Sequence, residues 1–579
     1  MVNLTIDKMN LNVPEGTTIL EAAKVIGVDI PTLCYLKNVN QTGNCRVCLV
    51  EVEGAQRLVT SCNTAVQEGM VINTHSEKVR KARRVNVELL LSNHEVTCTS
   101  CVRSGNCELQ RLSNALGIID NIYEKKIVKK PWDQDFPLIR DNAKCISCLR
   151  CVQVCNNVQN VGVWDTVNSG GKTSIGVFGN KNIKESHCVL CGQCIVHCPV
   201  GALRVRDDTE ILREMLNDES KFTIIQIAPA VRTAWAEDLG IKPEVATIER
   251  LITALRRMGA DYIFDTTFSA DLTIMEEGKE FINLLNEGDE SKFPLYTSCC
   301  PAWVSFAKSN FPNSVKHLST AKSPQQMFGT IIKEDVAKNL CIDRENINVV
   351  SIMPCLAKKG EYELPTMKTN DDPDVDLVIT TRELARMVKA SFINPAKLEE
   401  GQFDRIQGAN VGQGTGAGVI FGATGGVMEA ALRSVYAILT HKNPDPTKFY
   451  NVRPVDGNTG MREASIDIGD KTVNIAIVSG LANARKLVDS IEKGEKHYHF
   501  VEIMACPGGC VAGGGQPINH DYEISLTRGA TLYTLDRNAD MRFSHENPSI
   551  ISLYERRPEI SHLLHTDHTK WEIAPNPFA

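Results

Sequence analysis

The stretch Val501-Glu502-Ile503-Met504-Ala505-Cys506-Pro507-Gly508-Gly509-Cys510, continued by Gly513-Gly514-Gly515-Gln516-Pro517, decides how the rest of the chain is read. An apolar, strand-like run ends in two cysteines with three residues between them. Glycines at such a point let backbone come close to something bulky. Two further strand-like runs end the same way. Residues 294–298 lead into Cys299-Cys300-Pro301-Ala302-Trp303, and residues 349–354 into Cys355-Leu356-Ala357-Lys358-Lys359. In open α/β sheets, ligands sit just beyond the carboxyl ends of strands. Singly, each cysteine reads as a small buried apolar residue. Together, three strand ends carrying thiols can converge on one metal centre.

The chain has 579 residues, long enough for several domains and a large core. Its net charge of −7 gives no electrostatic case for nucleic acid. No apolar run approaches the ~20 residues that a membrane helix needs. The start, residues 1–13, alternates like a strand and lacks the plan of a signal peptide. A cytoplasmic location is therefore expected. In a reducing compartment the 21 cysteines are not disulfides, and their spacing favours metal. By position, all but Cys299 and Cys341 fall into ligand sets. Cys341 reads as a small apolar residue.

Residues 1–77 open with a hairpin-like pair around Val13-Pro14-Glu15-Gly16, then a helix-like segment at 18–26. Cys34, Cys45, Cys48 and Cys62 follow, spaced C-x10-C-x2-C-x13-C. A close pair with a remote fourth ligand is the plan of plant-type ferredoxins, although the first gap is longer here. A zinc ribbon wants two close pairs and this segment has one, so a [2Fe–2S] cluster on a β-grasp fold is expected. Residues 78–117 begin with a basic helix-like stretch at 78–91, read as a solvated face. His94, Cys98, Cys101 and Cys107 follow as H-x3-C-x2-C-x5-C. On spacing alone this set suits zinc or an iron–sulfur cluster.

Residues 118–140 read as a connector. Two runs of C-x2-C-x2-C-x3-C then appear within 141–207: Cys145, Cys148, Cys151 and Cys155, and Cys188, Cys191, Cys194 and Cys198. This repeat marks a two-cluster ferredoxin domain, in which the fourth Cys of each run ligates the other cluster. Cys145, Cys148, Cys151 and Cys198 should hold one [4Fe–4S] cube; Cys188, Cys191, Cys194 and Cys155 should hold the second. Proline follows the fourth Cys only in the second run; Asn156 stands there in the first. From 208 to 520, strand-like runs (222–227, 262–264, 349–353, 375–380, 473–478) alternate with helix-like ones (248–258, 272–285, 325–340, 426–436), which predicts α/β architecture with largely parallel sheets. The Gly412-Gln413-Gly414-Thr415-Gly416-Ala417 run fits a loose dinucleotide fingerprint. Its flanks, a poor strand at 404–410 and Ala430-Ala431-Leu432-Arg433 where the acid is expected, argue for a loop lining the cluster cleft instead.

The three cysteine segments resemble the signature segments of [FeFe]-hydrogenases, and the resemblance spans about the whole chain. It implies a two-lobed α/β domain holding the H-cluster, a [4Fe–4S] cube joined to a di-iron unit with CO, cyanide and dithiolate ligands. Carried over, the cluster ligands are Cys300, Cys355, Cys506 and Cys510, with Cys510 as the bridge. The resemblance also implies a His-ligated [4Fe–4S] cluster at His94, Cys98, Cys101 and Cys107. That makes three accessory cubes beside the [2Fe–2S] cluster, a plan similar to the N-terminal part of the large iron–sulfur subunit of respiratory complex I. Residues 521–579 resemble the family's small-subunit segment. A proton path at Cys299, Glu277, Ser319 and Glu280 is implied, as is a pocket wall of Pro229, Ala230, Met353, Phe421 and Met504. Lys358 would donate to a cyanide. Ala230 stands where some members have Ser, so a hydrogen bond there is not expected.

An active hydrogenase is thus the leading expectation, with H2 and protons as substrate and maturation proteins needed to build its centre. The chain further resembles the hydrogenase subunit of NAD(P)-linked, electron-bifurcating hetero-oligomers, whose flavoprotein partner handles the nucleotide. A stand-alone ferredoxin-linked enzyme shares the domain plan. Of another class are a non-catalytic electron conduit and a redox or H2 sensor, or an iron–sulfur assembly factor, built on the same fold. The conduit leaves Cys300, Cys355, Cys506 and Cys510 unexplained, and sensors tend to lose the Cys299 position.

Overall fold

The computed structural model describes residues 1–170, 173–406, 411–445, 447–454, 460–519 and 524–578. It divides into two compact units. One comprises residues 1–158, 162–186 and 193–206; the other comprises 159–161, 187–192 and 207–579.

In the first unit, strands Val2–Ile6 and Met9–Val13 pair antiparallel and turn at Asp7-Lys8. The sequence placed that turn at 13–16. The hairpin closes earlier because Asp7 and Lys8 take φ of 47° and 69°, the left-handed values a tight two-residue turn demands. Pro14 instead turns the chain, its carbonyl accepting from Thr17 N, into helix Ile19–Val25. Thr18 caps this helix by accepting from Glu21 N, and Ile19, Leu20, Ala22 and Ala23 go into the core. A five-stranded mixed sheet results, with Met70–Asn73 parallel to Val2–Ile6 and Leu49–Val52 beyond it. Helix Glu77–Ser92 follows, capped by Ser76. Its basic face is not wholly solvated: Arg83 is buried and donates to the Leu49 carbonyl at 2.7 Å.

In the second unit, two four-stranded sheets carry the architecture. The first is parallel throughout, in the order Tyr262–Asp265, Phe222–Ile227, Ile347–Met353, Leu377–Thr380. Every residue of Ile347–Met353 is buried, which is why apolar residues fall on both faces of this stretch, with Asn348 and Ser351 the buried polar exceptions. The second sheet orders Leu295–Tyr296, Phe500–Met504 and Lys471–Ser479 in parallel, with Met461–Ile468 added antiparallel at the edge. Helices expected from apolar periodicity are present at Ile248–Arg257, Thr267–Glu287 and Gly426–Thr440. The 325–340 run is helical too, but relaxes into a π turn at Ile332–Val336.

The C-terminal helix Ile524–Asn538 is tied down by charge. Arg433, wholly buried, donates to Asp536 at 2.8 and 2.9 Å and also to Glu429. The Gly412–Ala417 run is explained by packing: a Cβ on Gly414 would lie 2.0 Å from Thr267 Oγ1, and one on Gly416 would lie 2.5 Å from Asp536 Oδ1. Of the flank at 404–410, residues 407–410 lie outside the described residues, as does the start of the expected 521–579 segment. Cys341 is exposed, not an apolar filler; it ends helix Ala337–Leu340 with φ 55°, a conformation that turns it out of the helix. Among the described residues, no helix is long and apolar enough to cross a membrane.

Candidate metal centre

Four thiols meet where the strands of the two sheets of the second unit end. Cys355 follows Ile347–Met353 of the first sheet. Cys300 follows Leu295–Tyr296 and precedes the first turn of helix Pro301–Asn310; Cys506 and Cys510 follow Phe500–Met504. Burial pushes all four thiols up, and each of Cys355, Cys506 and Cys510 is raised further by its neighbours in the set. For Cys355 the two effects reach about 11. Four thiolates confined in a desolvated pocket repel one another unless a cation binds them, so the donor set suits a thiolate-held iron–sulfur cube.

The glycine run makes the pocket possible. Gly508 and Gly509 take φ of +89° and +97°. A Cβ on Gly513 would stand 2.1 Å from the Pro354 carbonyl oxygen, and one on Gly515 would stand 3.0 Å from Cys355 N. Gly515 N also donates to that Pro354 carbonyl at 2.8 Å. On the other side, a Cβ on Gly514 would lie 2.6 Å from Gly192 Cα, and Cys506 Sγ lies 3.9 Å from the Cys191 carbonyl oxygen. The thiols of one centre are thus fastened to the loop carrying Cys191.

Beside Cys300 lies a buried file of proton-bearing groups. Cys299 is buried, and burial followed by the Glu277 charge keeps it protonated. Glu277 accepts from Ser298 N at 3.1 Å, and its other oxygen is buried without a partner. Burial, aided by the Glu280 charge, pushes its carboxyl up to about 8. Ser319 Oγ donates to Glu280 Oε2 at 2.6 Å. Burial alone would raise Glu280, but hydrogen bonds from His565, Ser319 and Thr320 outweigh it and hold the carboxyl below its usual range. Lys358 Nζ donates to the Cys299 carbonyl at 3.2 Å and to Glu361 Oε2 at 2.9 Å.

Pro229 and Ala230 form a turn directly after Phe222–Ile227, and the Ala230 carbonyl accepts from Gln516 Nε2 at 2.8 Å. Ala230, Met353, Phe421 and Met504 are all buried. Phe421 and Met504 pack in one apolar cluster with Cys299, whereas Met353 belongs to the core of the first sheet and Ala230 to a small group with Val511 and Leu532. The sequence reading missed Gln516, Glu361 and His565. Gln516 and His565 act through contacts distant in sequence, which no local pattern marks, whereas Glu361 stands three residues after Lys358, a helical spacing that could have found it.

In the first unit, Cys34, Cys45, Cys48 and Cys62 are all buried. Cys45 is lowered by a hydrogen bond from Cys34, and Cys48 by one from Cys62, so the four thiols lie within reach of each other in two pairs. His94, Cys98 and Cys107 line one cavity of about 390 Å³. His94 Nδ1 faces the Lys144 carbonyl at 2.9 Å and must therefore donate, leaving Nε2 as a free lone pair. Cys101 is outside that lining but close enough to Cys107 to raise it, after burial. Cys145, Cys148, Cys151 and Cys198 line one small cavity together, as the crossed ligation of the repeat requires.

Known proteins match this geometry. Residues 221–514 match the iron only hydrogenase large subunit, C-terminal domain, and 522–571 the iron hydrogenase small subunit. Residues 1–77 match a 2Fe-2S iron-sulfur cluster binding domain, 83–121 the NADH-ubiquinone oxidoreductase-G iron-sulfur binding region, and 144–202 a 4Fe-4S dicluster domain. The NADP-reducing hydrogenase subunit HndD of Solidesulfovibrio fructosivorans is 46% identical over 98% of this chain and 99% of its own. Iron hydrogenase 1 of Clostridium pasteurianum is 39% identical over 96% of both. Among solved structures, the apo [FeFe]-hydrogenase HydA1 from Chlamydomonas reinhardtii is 36% identical, covers 64% of this chain and 99% of its own, and superimposes with a TM-score of 0.55. The fold and the thiol set define an iron–sulfur oxidoreductase that acts on H2. The chain belongs to the iron-only, or [FeFe], hydrogenases, with an H-cluster and modular 2Fe-2S and 4Fe-4S domains.

Proposed function

We propose that this chain is the hydrogen-handling subunit of an NAD(P)-linked, electron-bifurcating hetero-oligomer. Cys300, Cys355, Cys506 and Cys510 would hold the H-cluster, Cys510 serving as the thiolate shared between its two parts. The observation that carries the site is the convergence of these four thiols beside Cys299 and Glu277. When bound, the H-cluster supplies the iron at which H2 is formed or split. The protein's own part is proton handling. Cys299 keeps a thiol proton next to the centre, Glu277 stays neutral to about pH 8 and can receive or return it, and Ser319 passes it to Glu280. Pro229, Ala230, Met353, Phe421 and Met504 keep water away from the thiols. Lys358, held by Glu361, places an ammonium against the Cys299 turn.

Four accessory clusters complete the reading. A β-grasp domain at 1–77 holds [2Fe–2S] on Cys34, Cys45, Cys48 and Cys62. A domain at 78–117 holds [4Fe–4S] on His94, Cys98, Cys101 and Cys107. After a connector at 118–140, a ferredoxin domain at 141–207 holds two cubes, one on Cys145, Cys148, Cys151 and Cys198; spacing assigns Cys155, Cys188, Cys191 and Cys194 to the other. A catalytic domain at 208–520 and a small-subunit-like segment at 521–579 follow. Near-complete coverage of an NADP-reducing hydrogenase subunit, with its outer clusters included, supports a cytoplasmic complex in which a flavoprotein meets the nucleotide. Gentle purification of the native protein tests it: flavin and NAD(P)-dependent H2 chemistry should co-purify. A single chain fully active with ferredoxin alone would replace the complex with the stand-alone enzyme.

A further inference from the structure

The relay does not stop at Glu280. His565, from the C-terminal segment, is bound to it. Backbone pairing fixes the segment: Lys322 N donates to the Leu564 carbonyl at 2.8 Å, and Thr566 N to the Thr320 carbonyl at 2.7 Å. The imidazole is thereby set between two carboxylates of helix Thr267–Glu287. Its Nε2 faces Glu276 Oε2 at 3.1 Å. Its Nδ1 lies 2.7 Å from Thr320 Oγ1 and 3.5 Å from Glu280 Oε1, and the Thr320 hydroxyl donates to the same Glu280 oxygen. Glu276 is buried and already accepts from Tyr554 and Ser561, whereas the His565 side chain keeps 26% of its surface exposed. The ring is thus part-exposed and bound to the relay at its mouth, where Thr320 is exposed and the Glu280 side chain keeps 21% of its surface.

We propose that His565 is the group that exchanges protons between solvent and the buried relay, with the Thr320 hydroxyl as the link to Glu280. This rests on the reading of Cys299, Glu277, Ser319 and Glu280 as the proton path. Inward, imidazolium Nδ1–H passes its proton to Thr320 Oγ1 while the Thr320 O–H proton moves to Glu280 Oε1. The ring ends neutral and Glu280 ends protonated; Nδ1 then regains its proton from water that reaches it beside Thr320, which is itself exposed. Outward transfer is the reverse. The charged groups facing the ring are Glu276 and Glu280, with Tyr554 reaching it only through Glu276. His568 is turned away, onto the Ser319 carbonyl at 3.0 Å. The two carboxylates raise the ring to about 9, so it stays charged over the range in which Glu280, held low, is ionised. A donor beside an ionised acceptor is the arrangement proton delivery needs.

The test compares His565→Gln with wild type in the cluster-loaded chain. H2 production should fall at least about tenfold near pH 8 and less near pH 6, where bulk protons reach Glu280 unaided, and added imidazole should restore part of it. A purely structural role would not answer to imidazole. Independently of turnover, the ring resonance missing from His565→Gln should titrate near 9 in wild type and lower in Glu280→Gln. Wild-type rates in His565→Gln from about pH 6 to 9, or a ring titrating at the ordinary value of about 6.5, would overturn the proposal. If His565→Gln does not fold, Thr320→Val removes only the linking hydroxyl and should show the same pH-weighted loss; unchanged rates there overturn it equally. Cys299→Ala separates the two readings. Full turnover in that variant brings down the relay itself, whereas loss there with His565→Gln unaffected brings down only the role of His565.

Discussion

Gly513→Ala is a single methyl whose effect can be worked from geometry. Gly513 has φ −62° and ψ 154°, values open to any residue, so the backbone carries no penalty. The whole effect is contact. The new Cβ would stand 2.1 Å from the Pro354 oxygen and 2.9 Å from the Cys510 oxygen, where ordinary contact begins at 3.4 Å. The Pro354 turn must therefore retreat by about 1.3 Å (3.4 minus 2.1), and both obstacles are backbone that no rotamer can move aside. Overpacking of this kind costs roughly 1–3 kcal/mol. It falls between Cys355 and Cys510, so it opens the thiol set directly, and a misplacement of about 1 Å at a reacting centre can cost on the order of a hundredfold in rate. Iron per chain, paramagnetic resonance of the reduced protein and H2 turnover are the measurements. Turnover should drop at least about a hundredfold while the signals of the N-terminal clusters persist. Gly529→Ala, where the nearest atom is Ala423 Cβ at 3.8 Å within helix Ile524–Asn538, should leave both unchanged. Full iron and wild-type turnover in Gly513→Ala would refute the claim that the glycine run is needed for close approach to the Cys355 turn.

Cys299→Ala should keep the iron content and cluster spectra and lose most H2 turnover, because its thiol neighbours the ligand Cys300 without being needed as a ligand; near-wild-type rates would exclude it from the relay. Glu277→Gln bears on pH. The folded carboxyl titrates near 8 against an ordinary 4.5, so between these values the folded chain holds a proton the unfolded chain has released, and stability falls as pH rises through that window. Denaturant titrations at the two ends should show a smaller drop in the Gln variant than in wild type, and equal drops would contradict the assignment. Arg433→Met leaves Glu429 and Asp536, both wholly buried, with fewer partners, for a loss of roughly 3–5 kcal/mol. Limited proteolysis should then cut near helix Ile524–Asn538 first, and a variant as resistant as wild type would argue against that anchor.

What the sequence made legible was chemistry carried by near neighbours. The repeated C-x2-C-x2-C-x3-C runs announce their cubes because successive ligands must lie within a turn or two of each other, and Cys145, Cys148, Cys151 and Cys198 do share a cavity. Buried parallel strands such as Ile347–Met353 and Phe500–Met504 read plainly because both faces are covered and most of their residues are apolar, with only Asn348, Ser351 and Glu502 as buried polar exceptions. What stayed hidden depends on partners far along the chain. Met461–Ile468 alternates exposed and half-buried residues as an edge strand, so its pattern is weak. Arg83 looks like one more charge on a basic helix until the Leu49 carbonyl, 34 residues away, is seen to receive it. His565 is the extreme case, for it meets Thr320 across 245 residues. The same distance explains why a C-terminal segment belongs to the reaction. Helix Thr267–Glu287 turns Glu277 towards Cys299 and carries Glu280 out to a surface that helix Thr267–Glu287 does not finish. A second titratable group, cationic where Glu280 is anionic, comes from elsewhere: the 564–566 backbone, paired to 320–322, delivers the imidazole there. Ala321 and Leu564 of that pairing are buried in the core of the first sheet, so the same packing that stabilises the lobe also holds the imidazole beside Glu280, and a point substitution at His565, not removal of the segment, isolates the proton exchange.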